Sequence, residues 1–329
     1  MIPFALRRVA SLLPTLAGIS ILAFAVLNLL PSDPVLVWSG GEAAPSAELM
    51  HRLRAEIGAD RGPVERYLGW VIATLRGDLG RSLRDGRPVV AVLAEALPWT
   101  ILLNLCAVVA IYGLAVPFGL FGARSPGSPA DRAGNWVLLL LYALPSFAAA
   151  LLLQQAFAVR LGWVPLQGVA GPAETASAFR RVVDAGRHLV LPTICLALAG
   201  WAYVARYSRA AFRSSLARDF ITAARSKGIS GPRALLHVAA DAAAPFVTLL
   251  AGIIPGLIGG SVIVEQIFSW PGVGRLYLAA VEGRDYPVVM GLTMLSAVAV
   301  AAAHVIVDLL YLLLDPRMRD PLLEARADA

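Results

Sequence analysis

Ionisable and amide side chains set inside otherwise apolar stretches are where this sequence holds its chemistry. His304 and Asp308 stand four residues apart in a run of Val, Ala and Leu, a spacing that puts both on one face of a helix. Such a pair can relay a proton or hold a cation, can hydrogen-bond one helix to another, or can line a polar path. Glu265 and Gln266, at the end of another apolar run, raise the same choice, as do Asn28, Asn104, Gln154 and Gln155. Hydrolytic chemistry lacks its parts, since no His-Glu-x-x-His or Gly-x-Ser-x-Gly pattern occurs. Cys106 and Cys195 fall inside apolar runs without paired spacing, so they form neither a disulfide framework nor a metal site.

One absence narrows the energetics. The chain has a single lysine, Lys227 in Ser-Lys-Gly, so no Gly-x-x-x-x-Gly-Lys-Ser/Thr phosphate loop exists. If ATP drives this protein, another chain must bind it. Attention then turns to the basic, alanine-rich segment from Arg206 to Pro245. Within it Asp219 opens a short helix, Phe220, Ala223 and Ala224 share a face, and Arg218, Arg225 and Lys227 point elsewhere. Gly228 supplies a residue able to take φ > 0 at the helix end, and Pro232 prevents continuation. Phe220 and Ile221 beside two alanines suggest a face that docks on a soluble partner.

The elements that must position these residues follow from composition. With 58% hydrophobic and 15% charged residues and a mean hydropathy of +0.71, the chain is an all-α integral membrane protein. Apolar stretches near the ~20 residues that cross a bilayer lie at about 9–30, 98–122, 136–159, 188–205, 244–266 and 288–314, which predicts six helices. None shows the alternation of a barrel strand. The short segments 1–8, 123–135 and 206–243 carry eleven basic residues against six in the short segments opposite, which places the former, and both termini, in the cytosol. The net charge of +6 reflects this topology and anionic lipid; without aromatics interleaved in a basic stripe, nucleic acid is not a partner.

Four regions result: 1–30, the N-terminal end and first span; 31–97, an extracytoplasmic cap; 98–314, a core with five spans that includes the cytosolic loop 206–243; and 315–329, a cytosolic tail. The first span has no small-x-small cleavage site and reads as a retained anchor. In the cap, Ser46 to Ile57 and Pro63 to Leu75 are expected as short helices, the second amphipathic with Tyr67 and Trp70 available to the membrane interface. In the fifth span Gly252, Gly256 and Gly260 recur every four residues around Pro255, which suits either close helix packing or a moving element.

Several motifs in order resemble one family. Thr222-Ala223-Ala224-x-x-x-Gly228 is similar to the Glu-Ala-Ala-x-x-x-Gly signature of permease subunits of binding-protein-dependent ABC importers, with Pro245 near the trailing proline. Asp219 to Ile229 is similar to the version in dipeptide, oligopeptide and nickel permeases. Glu265 to Arg275 and Arg284 to Val289 resemble the segments flanking their last external loop, Asp308 to Tyr311 and Asp315 to Arg319 their ending, and Gly77 to Ser82 a stretch of their first external region. Two positions depart from the pattern: Thr222 stands where the general signature has Glu, and Asp241 where several peptide permeases have Pro.

The resemblance implies a type I ABC importer permease in a bacterial inner membrane. Such a subunit pairs with a second permease to form the pore, receives substrate from an extracytoplasmic binding protein, and seats its cytosolic helix on a separate ATPase. Asp219, Phe220, Thr222, Ala223, Ala224 and Gly228 would form the coupling helix; Gly252, Gly256, Gly260, Glu265 and Asp308 would serve the pore or helix packing. Short peptides are the expected substrate, with nickel or a metal chelate as the alternative. A stand-alone channel or secondary transporter, using His304, Asp308 and Glu265 as a cation path, is the rival of another class.

Overall fold

The computed structural model describes residues 2–29, 62–169, 178–227, 231–242, 246, 249 and 262–314. In chain order its helices are α1 (Ile2–Leu29), α2 (Pro63–Leu75), α3 (Val89–Arg124), α4 (Pro129–Ala143), α5 (Ser146–Leu153), a π-helical turn (Gln154–Arg160), α6 (Ala178–Leu216), α7 (Asp219–Ser226), α8 (Gly231–Asp241), α9 (Val273–Glu282) and α10 (Tyr286–Leu314). A single bridge, Arg81 with Pro88, is the extent of β-pairing among the described residues. Among the described residues three helices are long and apolar enough to cross a membrane, Leu12–Leu29, Val89–Arg124 and Tyr286–Leu310, and the number reaches five if each of two bent pairs is one span. The expected span at 244–266, the expected helix at 46–57 and the tail at 315–329 lie wholly or mostly outside the described residues.

Met1–Thr100 and Pro271–Ala302 make one compact unit. Here α2 starts because Pro63 occupies its first turn after an extended Gly62, with Glu65 favourable beside the helix N-terminus. Its aromatic face, expected at the membrane interface, packs in part against α1. Tyr67 meets Phe24 edge-on at 5.4 Å, its hydroxyl lies 2.8 Å from Ser20 Oγ, and Trp70 stacks on Tyr67 at 6.3 Å. The polar Asn28 in the first span is answered from the same helix by Arg66 Nη2, which donates to its Oδ1 at 2.6 Å. The apolar centre of this unit brings Val89, Leu93 and Ala96 of α3 against Val273 and Ala280 of α9 and Val288, Val289 and Leu292 of α10. Thr100 Oγ1 accepts from Val273 N at 2.8 Å and so fixes the start of α9.

Ile101–Trp270 and Ala303–Ala329 make the other unit. The expected third span, 136–159, is not one straight rod: α4 and the helical stretch Ser146–Arg160 meet at 102°. Proline explains the break. Pro145 has no N–H to give a helical bond, and its ring drives Leu144 out of the helical region, to φ −77 and ψ 118. The fourth span also bends, by 50°, between Val182–Leu198 and Gly200–Leu216. Small residues set the distances between helices here. A Cβ on Gly119 would fall 2.4 Å from Ser208 Cβ and 2.7 Å from Arg209 N. One on Gly200 would fall 2.5 Å from Ile111 Cδ1, and one on Gly134 2.7 Å from Phe118 Cζ. At Gly119 two backbones thus approach closely, and at Gly200 and Gly134 a neighbouring side chain fills the place of the missing methyl, close packing of the kind that gives cohesion where lipid offers no hydrophobic contrast.

Candidate functional site

The segment expected to meet a partner folds as two helices on the end of α6. α7 has eight residues, too few to be stable alone, so tertiary contacts must hold it. Ile221, 1% exposed, is the anchor. It packs with Phe212 of α6, Val238 of α8, Ala242 and Ala123 of α3. Ile221 is therefore consumed by its own chain and is not part of a docking face, which corrects the sequence reading. The reason is helical spacing, since Arg218 to Ile221 forms a tight turn, Ile221 N donating to Arg218 O at 3.1 Å, that swings Ile221 inward. Two polar ties complete the mounting: Ser215 Oγ donates to Val238 O at 3.4 Å, and Arg218 Nη1 pairs with Asp241 Oδ1 at 2.8 Å. Asp241, the departure from the proline found in several peptide permeases, thus has a partner of its own.

Of the expected coupling residues, Asp219 opens α7 and is exposed, and Ala223 is exposed on the same helix. Phe220, Thr222 and Ala224 lie on α7 with side chains outside the description, and Gly228, Gly252, Gly256 and Gly260 lie outside the described residues. Glu265 is fully buried, whereas His304 is exposed and Asp308 half-buried; all three are engaged in interactions.

On α6, ahead of α7 in the chain, Arg209 Nη2 meets Asp131 Oδ2 of α4 at 2.5 Å. The sequence reading counted Arg209 only among the basic residues of segment 206–243 and did not use Asp131. Asp131 is 6% exposed and also accepts from Gly127 N at 2.9 Å and from Asn135 Nδ2 at 3.3 Å. Its own N–H is capped by Ser128 Oγ at 3.2 Å. Gly122 of α3 leaves room for the group, since a Cβ there would lie 2.9 Å from Asp131 Oδ1 and 3.2 Å from Arg209 Cδ.

The motif running from Glu265 to Arg275 forms a sharp corner. Ser269, at φ 52, turns the chain so that Trp270 N donates back to Glu265 O at 2.8 Å, and Trp270 is buried at 1% exposure. The π-helical turn supplies its brace. Gln154 Nε2 donates to Leu166 O at 3.0 Å and to Ile267 O at 3.3 Å, while Gly168 N donates to Phe268 O at 2.8 Å. Gln154, one of the polar residues of the apolar runs, is therefore a loop brace.

In the first unit, the two motifs at 77–82 and 284–289 meet. Asp285, 3% exposed, accepts from Ser82 Oγ at 2.5 Å, Leu83 N at 3.0 Å, Arg84 N at 3.4 Å and Val288 N at 3.4 Å. It caps α10 and holds a loop from the far end of the sequence with one carboxylate. Arg284, at φ 52, makes the reversal that presents it. In the same loop the Arg87 backbone N–H, 3.1 Å from Asp85 Oδ1, holds the Asp85 carboxyl below the ordinary carboxylate range.

A short exposed helix on a rigid mount, long apolar helices and braced loops are the parts of a transport subunit, and known proteins agree. The oligopeptide transport system permease of Bacillus subtilis is 35% identical over 320 residues, covering 97% of this chain and 99% of the relative. The dipeptide transport system permease of Escherichia coli K12 is 31% identical over 337 residues, covering 97% and 99%. The glutathione transport system permease of Escherichia coli O6:H1 is 32% identical over 322 residues, with the same coverage. Among solved structures, a chain of the MetNI methionine ABC transporter in an inward-facing form superimposes with a TM-score of 0.54 at 15% identity, over 69% of this chain and 97% of that one, which shows a shared ABC importer transmembrane fold. Residues 115–320 match the family described as binding-protein-dependent transport system inner membrane component, and the chain belongs to that family, as a multi-pass permease subunit of the bacterial inner membrane.

Proposed function

We propose that this chain forms half of the translocation pore of an ATP-driven importer of short peptides. The observation that carries the substrate class is the end-to-end similarity to relatives named for oligopeptides, dipeptides and glutathione. In this reading six spans put both termini in the cytosol, a second and homologous permease completes the pore, and a binding protein delivers peptide from outside. ATP and Mg bind on separate ATPase subunits, consistent with the missing phosphate-loop lysine. The coupling helix is α7, with Asp219, Phe220, Thr222, Ala223, Ala224 and Gly228; its short, mounted form and exposed Ala223 support this. Closure of the ATPase dimer would push the mounted helix and tilt the spans between inward- and outward-open forms. Glu265 and Asp308, with Gly252, Gly256 and Gly260, are assigned to the pore or to packing around it.

Reconstitution of the complex in liposomes tests the reading. Uptake of labelled dipeptides should require ATP, the binding protein and both permeases, and labelled nickel should not accumulate. Nickel uptake without peptide uptake would select the metal importer, and flux through the purified chain alone would select the channel. Ala223→Trp, at an exposed position where bulk does not disturb the chain's own core, should abolish ATP-dependent uptake; wild-type uptake in that variant would remove α7 from the coupling role.

A further inference from the structure

The ion pair between Asp131 and Arg209 joins α6, which carries α7 on its end, to the first turn of the bent pair α4–α5. One turn of α6 separates Arg209 from Phe212, which packs in the same buried cluster as Ile221 of α7. Asp131 sits in the first turn of α4 and holds Gly127 N and Asn135 as well as Arg209. At the other end of the bent pair, the π-helical turn holds the Glu265–Trp270 corner through Gln154 and Ile267 O.

We infer that the Asp131–Arg209 pair transmits the movement of the coupling helix into α4, and through the 102° bend at Leu144–Pro145 to the loop corner at Ile267. The inference rests on the proposed coupling role of α7. A lever needs a joint that neither slips nor compresses, and apolar helix faces slide more readily than a charged, hydrogen-bonded contact of fixed direction. The pair supplies direction, because the carboxylate is oriented by Gly127 N and Asn135 before Arg209 reaches it. The glycines at 119 and 122 let α3 lie against Ser208, Arg209 and Asp131, a Cβ on Gly122 falling 2.9 Å from Asp131 Oδ1 and 3.2 Å from Arg209 Cδ. Asp131 and Arg209 are thus positioning residues for transport, acting through α4 and α6 and not on the substrate.

A contact needed only for folding behaves differently from a transmitting one when both charges are removed together. Breaking one partner leaves a lone buried charge, whereas neutralising both removes that penalty. The test compares Asp131→Asn, Arg209→Gln and the double variant in the reconstituted complex, scoring assembly, ATP hydrolysis and peptide uptake. The double variant should assemble and hydrolyse ATP like the wild type, while uptake per ATP falls about tenfold or more. Wild-type uptake per ATP in the double variant would overturn the proposal, and so would failure of all three variants to assemble, which would make the pair a folding contact. Ala223→Trp is run beside them: wild-type uptake in that variant undermines the coupling role itself, whereas loss there with an intact double variant sinks only the role of the pair.

Discussion

Ser82 and Asp285 lie 203 residues apart in sequence, and the serine hydroxyl donates to the buried carboxylate at 2.5 Å. The same carboxylate takes the N–H groups of Leu83 and Arg84 and caps the last long helix. Asp285→Ala takes this acceptor from the buried Ser82 hydroxyl and Val288 N–H and from the half-buried Leu83 N–H. At about 1–3 kcal/mol for each unsatisfied group, the variant should lose at least ~3 kcal/mol, and Ser82→Ala about 1 kcal/mol. Thermal unfolding of the detergent-solubilised chain measures both, and equal midpoints for Asp285→Ala and wild type would rule out the hub.

Close backbone packing predicts a contrast between two glycines of the same helix. Gly119→Ala forces a methyl to 2.4 Å from Ser208 Cβ and 3.0 Å from Ala205 O, whereas Gly113 has nothing within 4 Å of its Cβ position. Gly119→Ala should destabilise by about 1–3 kcal/mol or more. Gly113→Ala should be neutral or slightly stabilising, since alanine suits a helix better by up to ~1 kcal/mol. Denaturation midpoints for the pair decide the matter, and similar values for both would mean α3 and α6 are not packed as described.

Ile221 and Ala223 should separate mounting from docking. Ile221→Ala empties a fully buried site and should cost about 2–5 kcal/mol, loosening α7 and lowering yield of folded protein. Ala223→Gln on the exposed face should leave unfolding unchanged within about 0.5 kcal/mol. Matching stability losses in the two variants would place both side chains in the core.

Gln154→Leu should free the loop it braces. Leu166 O loses the Gln154 donor and Ile267 O keeps only Gln167 Nε2, at 3.2 Å, and the expected cost is about 1–3 kcal/mol. Amide hydrogen exchange across residues 161–169 should accelerate while exchange in α3 stays unchanged. No change at 161–169 would show the brace to be idle.

Much of the architecture was legible because apolar length and proline or glycine punctuation are local signals. The long first, second and last spans, the amphipathic helix from Pro63 to Leu75 and the short helix opening at Asp219 all follow from neighbours in sequence. Pro145 was equally visible, yet the apolar run continues across it, and hydropathy alone read one straight span where the backbone turns by 102°. The inward turn of Ile221 was not legible either, because an apolar residue between Phe220 and Thr222 in a basic loop has the same local pattern whether it docks on a partner or on its own chain. The Asp285 hub and the Asp131–Arg209 pair join residues far apart in the chain, at 201 to 203 and 78 positions. Only the order of motifs hinted at the first, and nothing local marked the second.

The shortness of α7 has a consequence for assembly. Eight residues cannot keep a helix in water by themselves, and Ile221 ties the fold of that helix to a core built from α3, α6 and α8. A free peptide of residues 219–226 should therefore be unstructured and a poor competitor for the ATPase. If α7 seats the ATPase as proposed, the surface it offers exists only once the helices behind it have found each other, and recruitment of the motor would double as proofreading: an unfinished permease would have nothing to grip.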